Sequence, residues 1–522
     1  MAKYLTKRII HGIISVIIVV AIVMILIYSL LNKDLIFKND PQFQKVQSNQ
    51  KTVYKYQKWE EYGYLDYVSY SDYLNDLVKS GEIDQETRDA AATIGRKPEK
   101  DSDATAEYVK KFTEYYESKG YTVTRLDAIM AGRKLATGGN PQLFAAKDTP
   151  LYSRLWKYLR SIITVDNIHY AEGYEGERGI EFTAHDPMYG GEKFAPAILG
   201  NGTYHRYLLY TDKKFPFVHQ NLVTINLGKS YSVNQGVDVT DTMSKTQGSY
   251  VMQEMIYPTG LKEESADNLH TAVWQPGSLE NNAVYTDRFV DDYTNVQMFK
   301  NGKSKIGYSF TIGIISVIMA YVLGIPIGVF MARKKDKIPD KIGTMYIVFI
   351  MAVPSLAYIF LFKAIGGKAG LPTTFNMEVG TWVMYVLPVI SLALPSMGGL
   401  MRWMRRYMID QSSADYVKFA RSGGLSEQEI FRKHIMKNAA IPIVHGIPAS
   451  VLGALIGAII TERVYVVPGA GNLLTTAINY YDNGVIVGVT LFYASLSVTS
   501  VILGDVLMSM VDPRISFSSK SR

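Results

Sequence analysis

Six stretches of this chain are long, apolar and free of Asp, Glu, Lys and Arg: Ile9–Asn32, Ile306–Ala332, Ile342–Phe362, Val379–Met401, Asn438–Thr461 and Asn483–Gly504. A helix of roughly 20 apolar residues, rising 1.5 Å at each, crosses the hydrocarbon of a bilayer. Six such runs predict a helical membrane protein. The first run follows Lys3, Lys7 and Arg8, as a secretory signal would. Its apolar part is longer than a signal core, and no small-x-small cleavage site follows it, so it reads as a retained helix.

Charge gives the orientation. Net charge is +7, but residues 32–306 carry 33 Lys/Arg against 37 Asp/Glu, and the remainder carries 22 against 11. The basic excess sits beside the apolar runs, not on a soluble face, which argues for a membrane and against nucleic acid. Lys3, Lys7 and Arg8, the cluster Arg333–Lys341, the many cations of 402–437, and Arg514, Lys520 and Arg522 occupy alternate connections. By the positive-inside rule both termini are expected in the cytoplasm. Residues 32–305 are then extracellular.

That segment carries its own folding signals. Asp103 to Gly120 reads as an amphipathic helix with Val109, Phe112 and Tyr116 on one face, and Tyr207–Tyr210 and Leu222–Leu227 read as short strands. A small α+β domain is expected. Tyr54, Tyr56, Trp59, Tyr62, Tyr64, Tyr67, Tyr70 and Tyr73 crowd its start. They suit a peptide or protein contact, or else they build a core or lie at the bilayer boundary. Gly324 and Gly328, and Ala449, Gly453 and Gly457, stand four apart, a spacing that lets helix backbones approach closely. Such stripes serve either an interface between moving bundles or packing inside one bundle.

Several chemistries are excluded. There is no cysteine, which removes disulfides, Cys-ligated metals and thiol catalysis. The tripeptides Gly228–Ser230 and Gly302–Ser304 lack the upstream glycine of a phosphate loop, since Val223 and Gln297 stand there. No metal or cofactor is expected in the chain. His11 and His445 read as packed or pore-edge residues.

The connection after the fourth run is the most informative. Asp415-Tyr416-Val417-Lys418-Phe419-Ala420-Arg421-Ser422, then Gly423-Gly424-Leu425-Ser426, predicts two short helices broken at the glycines. Ser426 is placed to cap the second, with Glu429 as its capping-box partner. Such a hairpin is either a handle for a partner or a basic connector lying on lipid.

This connection resembles the EAA loop of ABC-importer permeases, in the oligopeptide/dipeptide branch. Lys418-Phe419-Ala420, Gly424 and Pro442 take the family's places, with Ala420 alone matching the name-giving triplet. Val467-Pro468-Gly469-Ala470-Gly471-Asn472-Leu473-Leu474 resembles the family's W-P-G-x-G-x-L-L loop, and Asp505 with Asp512-Pro513-Arg514 resembles its closing signature. Tyr4–Arg8 and the turn Leu227–Tyr231 also fit. The resemblance spares 32–214 and 244–297, which read as insertions of the long Gram-positive form.

The resemblance implies a type I permease bundle of six helices with an inserted extracellular α+β domain: 1–31 as the first span, 32–305 as the insertion, and 306–522 as a five-helix core with a coupling loop at 402–442. It implies an oligopeptide importer in the plasma membrane. Its partners would be a second homologous permease, two cytoplasmic ATPases that bind the ATP, and an extracellular peptide-binding lipoprotein. Ala420, Gly424, Leu425 and Ser426 would form the lever's centre, with Asp415, Tyr416, Gly423, His434, Asn438 and Pro442 around it. A permease for nickel or another small solute, and a membrane-anchored peptide sensor, are the alternatives.

Overall fold

The structure, a computed structural model, describes residues 2–511 apart from 166–167, 172, 186–193, 195, 204–206, 212–215, 219–222, 258–259, 270–286, 289–295 and 377–380. Among the described residues five helices are long and apolar enough to cross a membrane: Leu5–Ser29, Lys305–Arg333, Trp382–Ser412, Ile447–Tyr465 and Asn483–Val511. Helices Ile338–Ala352 and Ser355–Lys368 pass the same test only as a pair, with a bend of 109° between them, and counted as one span they bring the number to six.

That bend falls at Pro354, inside the apolar run Ile342–Phe362. Pro354 has no N–H to give the ladder, and its ring pushes Val353 into extended backbone, with ψ at 129°. The fifth run is likewise two helices. Met436–His445 stops at Gly446, and Ile447–Tyr465 starts with Pro448 in its first turn. Pro326 and Pro395, by contrast, lie inside unbroken helices.

The second and fourth spans pack most intimately, and Gly324 and Gly328 are the reason. A Cβ at Gly324 would lie 3.0 Å from the Met397 carbonyl oxygen, and one at Gly328 would lie 2.9 Å from that of Met401. This stripe packs inside one bundle. The other does not: Ala449 is exposed and Gly453 faces open space. Gly457 lies in the same helix. The first and last spans close the bundle. Arg8 Nε donates to Asp505 Oδ2 at 2.8 Å, joining two motifs from opposite ends of the sequence.

The inserted segment begins as a three-stranded antiparallel sheet in the order Leu65–Ser69, Gln142–Asp148, Thr122–Leu126. Alternation on the central strand serves two cores. Phe144 and Ala146 face Trp59, Tyr62 and Tyr67, while Leu143 and Ala145 face Leu74 and Phe112. Helix Asp103–Ser118 forms as expected, and Ser102 caps it by accepting from the Thr105 N–H. A four-stranded antiparallel sheet follows, spanning Gly179–Thr183 to Pro216–Val218.

The crowded tyrosines settle as core. Tyr62, Tyr64, Tyr67 and Tyr70 are buried, and Tyr54, Tyr56 and Tyr73 are half-buried against them. Their role as an outward contact surface is not what the fold uses them for.

The insertion is seated on the bundle by a buried carboxylate. Asp482 precedes the last span and accepts five hydrogen bonds: from Ser230 Oγ at 2.6 Å, from the backbone N–H groups of Tyr231, Ser232 and Val233 at 2.8, 3.0 and 2.9 Å, and from that of Val485 at 3.2 Å. Successive N–H groups of the 230–233 turn thus form a cradle for one anion, which also caps the helix behind it. Close approach needs small residues on that helix. A Cβ on Gly484 would strike the Lys229 carbonyl, and one on Gly488 the Leu227 carbonyl. Around this point Tyr62 stacks on Tyr231 at 4.0 Å, and Arg154 lies 3.7 Å from the Tyr28 ring and 4.0 Å from that of Tyr64.

Candidate functional site

The fourth-span helix continues through Arg402–Arg406 and ends only at Ser412, so the connection proper starts later than the sequence suggests. Helix Asp415–Ser422 follows. It ends in a Schellman motif: the Gly424 N–H donates to the Arg421 carbonyl at 3.1 Å and the Leu425 N–H to that of Ala420 at 3.2 Å. This geometry requires φ of +80° at Gly424. Gly423 keeps an ordinary φ of −78°. Of the two adjacent glycines, therefore, one makes the turn and the other merely occupies it.

Ser426 caps the next helix as expected. The Glu429 N–H donates to Ser426 Oγ at 3.3 Å, and Glu429 Oε2 accepts from the Ser426 backbone N–H. Arg421 bridges the turn to Glu427 through two hydrogen bonds, at 2.5 and 3.1 Å, which hold the Glu427 carboxyl below its ordinary range. The second helix is not a separate piece. It runs from Glu427 through a π-helical stretch, Ile430–Ile435, into Met436–His445. Bonds from i to i+5 widen the turn, and residues five apart then share a face. Ile430 and Ile435 use this, and both are buried.

These isoleucines, Val417 and Ala439 pack on Met404 and Met408 of the fourth span. Tyr416 Oη donates to Gln411 Oε1 at 2.7 Å, and His434 lies beside its ring. Ala420 is half-buried against the same cluster, while Asn438 is half-buried and Pro442 exposed. Asp415 is exposed and paired with Lys418. The result is a hairpin locked to the fourth span on one side. On its other side stands Phe419, 77% exposed. In the sequence Phe419 reads only as a member of the triplet Lys418-Phe419-Ala420. The signal was present: an aromatic two residues from the buried Val417 must point away from it.

The second motif lies at the opposite end of the bundle. Glu462 is buried near the end of the fifth span. It accepts from Ser309 Oγ at 2.5 Å and from the Asn472 N–H at 3.1 Å, and Ser309 Oγ in turn accepts from the Ala470 N–H at 2.9 Å. The carboxylate therefore caps helix Ala470–Asn479 and ties it to the second span. This explains the glycines of the Pro468-Gly469-x-Gly471 loop. A Cβ on Gly469 would collide with the Glu462 carboxyl, and one on Gly471 with Ile459. Pro468 is half-buried beside them. Glu462 was missed because it stands one residue beyond the apolar run that ended at Thr461. Glu462→Ala is expected to lower stability by about 1–3 kcal/mol, since buried donors lose their acceptor. Glu462→Gln keeps an acceptor and should cost far less, as thermal unfolding of the purified complex will read. Of the closing signature, Asp505 is paired with Arg8, whereas Asp512, Pro513 and Arg514 lie outside the described residues.

A family model described as "Binding-protein-dependent transport system inner membrane component" matches residues 324–517. That range holds both the hairpin and the Pro-Gly loop. The oligopeptide transport system permease protein AmiC of Streptococcus pneumoniae is 31% identical over 526 residues, covering 100% of this chain and 99% of that protein. The dipeptide transport system permease protein DppB of Lactococcus lactis is 30% identical over 258 residues, covering 48% of this chain and 83% of that protein. The oligopeptide transport system permease protein AppB of Bacillus subtilis is 29% identical over 215 residues, covering 39% and 67%. The shorter relatives thus match part of the chain, and AmiC matches it along its whole length, insertion included. This chain belongs to the oligopeptide/dipeptide family of ABC-importer permeases and is a multi-pass membrane subunit of that kind.

Proposed function

We propose that this chain is the permease subunit of an ATP-driven oligopeptide importer and that the hairpin 415–435 is its coupling element. Oligopeptide is the substrate class in the name of its full-length relative AmiC. The observation that carries the coupling role is the two-sidedness of the hairpin. Val417, Ile430 and Ile435 fix it to the fourth span, and Phe419 stands free on the far side. A push on Phe419 is then transmitted as rigid-body motion of the span.

Two cytoplasmic ATPases supply that push and bind the ATP, and a second homologous permease completes the pathway. The exposed Ala449 and Gly453 suit a close helix contact with that second permease. An extracellular lipoprotein delivers peptide to the insertion side. The termini and the hairpin lie in the cytoplasm, a placement supported by the alternate basic connections, and the cell is Gram-positive like that of the full-length relative, Streptococcus pneumoniae.

The test is Phe419→Ala. A Phe side chain buried on association contributes about 1.5–3 kcal/mol. The variant should bind its ATPases roughly 10- to 100-fold more weakly, measured with the permease pair in nanodiscs, while its unfolding temperature stays unchanged. Undiminished binding would place the contact elsewhere. Mass spectrometry of ligand held by the partner lipoprotein would separate peptide from nickel or other solutes.

A further inference from the structure

A cavity of about 820 Å³ opens between the broken third span and the fourth, at the end of the bundle that carries the hairpin. Its floor is cationic and its wall is apolar. Lys335, Arg402 and Arg406 line the first, and Ile347, Val348 and Met351 the second. Arg405 also reaches the cavity, but Asp340 already holds it through two hydrogen bonds, at 2.5 and 2.7 Å. Asp410 is the one carboxylate among the lining residues, 3.8 Å from Arg406. Arg402 faces no carboxylate among the described residues and donates to the Met351 sulfur at 3.5 Å. Cations therefore outnumber the anions that could neutralise them.

The surroundings fix the class of ligand. Helix Ile338–Ala352 turns Ile342, Met345, Val348 and Met351 outward, so the wall continues into an exposed apolar face. Trp403, stacked on Tyr407, stands beside Arg402 and Arg406, an arrangement suited to the polar boundary of a membrane. Thr344 is the only neutral polar side chain in the lining. A peptide would leave its amides unpaired against such a wall. An amphiphile with an anionic head and hydrocarbon tails would not.

We propose that this cavity holds an anionic phospholipid of the inner leaflet, its phosphate between Lys335, Arg402 and Arg406 and an acyl chain along Val348 and Met351. Basic pockets between membrane helices at that depth recognise such headgroups. The inference rests on the membrane orientation proposed above. Its consequence is that lipid binds between the third and fourth spans, next to the element that receives the push.

The test uses the complete transporter in nanodiscs of phosphatidylcholine with a minority of phosphatidylglycerol, followed by mild delipidation and native mass spectrometry. The wild type should retain phosphatidylglycerol over phosphatidylcholine by at least about tenfold, since each basic side chain near the surface contributes about a fivefold preference. R402Q/R406Q removes two of the three cations and should cut that ratio by at least about tenfold, leaving no more than the preference Lys335 alone provides, and R402K/R406K should keep most of it. Val348→Trp, which fills the apolar wall and keeps every charge, should also lose retention. Equal retention of both lipids by the wild type would overturn the proposal. So would displacement of phosphatidylglycerol by excess inorganic phosphate or by oligopeptide, because the site would then be one for free anion or cargo. If R402Q/R406Q loses the ATPases along with the lipid, the cavity is an ATPase contact and the proposal fails. Wild-type co-purification of the ATPases, scored in the same samples, tests the permease reading separately.

Discussion

Replacing Gly424 with valine is expected to cut coupled import at least about tenfold while Gly423→Ala leaves it intact. The two residues are adjacent, and composition does not distinguish them. Backbone geometry does. Gly424 holds φ at +80°, where a β-branched residue is a genuine outlier, and Gly423 does not. Space is not the issue: a Cβ at Gly424 would meet nothing within 4 Å, and one at Gly423 would make ordinary contacts with the Phe419 and Ala420 carbonyls. Left-handed backbone costs an L-residue roughly 1–2 kcal/mol, and β-branching adds to it. About 2 kcal/mol shifts a hinge equilibrium by about 30-fold. Gly424→Val should therefore cut peptide uptake by at least about tenfold, with ATP hydrolysis continuing and the subunits still assembled. Gly424→Asn, which tolerates this conformation, should fall between. Uptake by the valine variant at the wild-type rate would remove the hairpin from the mechanism.

Asp482→Ala should strongly destabilise the seat of the insertion on the bundle. Five donors converge on its carboxylate in a fully buried site, and alanine leaves all of them without an acceptor. Each buried donor left unsatisfied costs about 1–3 kcal/mol, less where the turn relaxes to reach water. The expected result is a marked drop in unfolding temperature of the complex and new protease cleavage near 228–236. Asp482→Asn keeps the shape but halves the acceptor capacity, and should lie between the two. Unchanged unfolding and cleavage would show that the turn is held by the tyrosines and Arg154 instead.

The two changes differ in how visible they were beforehand. The glycine pair was legible because a turn between two short helices needs a glycine, and only the hydrogen-bond pattern says which one. Asp482 was not legible. Its partners, 230–233, stand some 250 residues away in sequence, and no local spacing records that meeting. The same holds for Glu462, whose link to Ser309 joins the fifth span to the second. Arg8 and Asp505 each belonged to a recognisable motif, yet nothing in either motif says that they touch.

The chain's own order of residues determined the number of apolar runs, the alternation of basic connections, the helix Asp103–Ser118, the capping box at Ser426 and the membership of a permease family. All of these depend on neighbours within a few turns, on charge counts or on family motifs. Tertiary structure decided the 109° break of the third span, the inward burial of the tyrosines and the outward placement of Phe419. It also decided which buried carboxylates hold which loops. The physical reason is that apolar surface has no direction of its own. A tyrosine-rich or glycine-rich stretch can face a core, a lipid or a partner with equal local cost, and only the surfaces that fold against it choose.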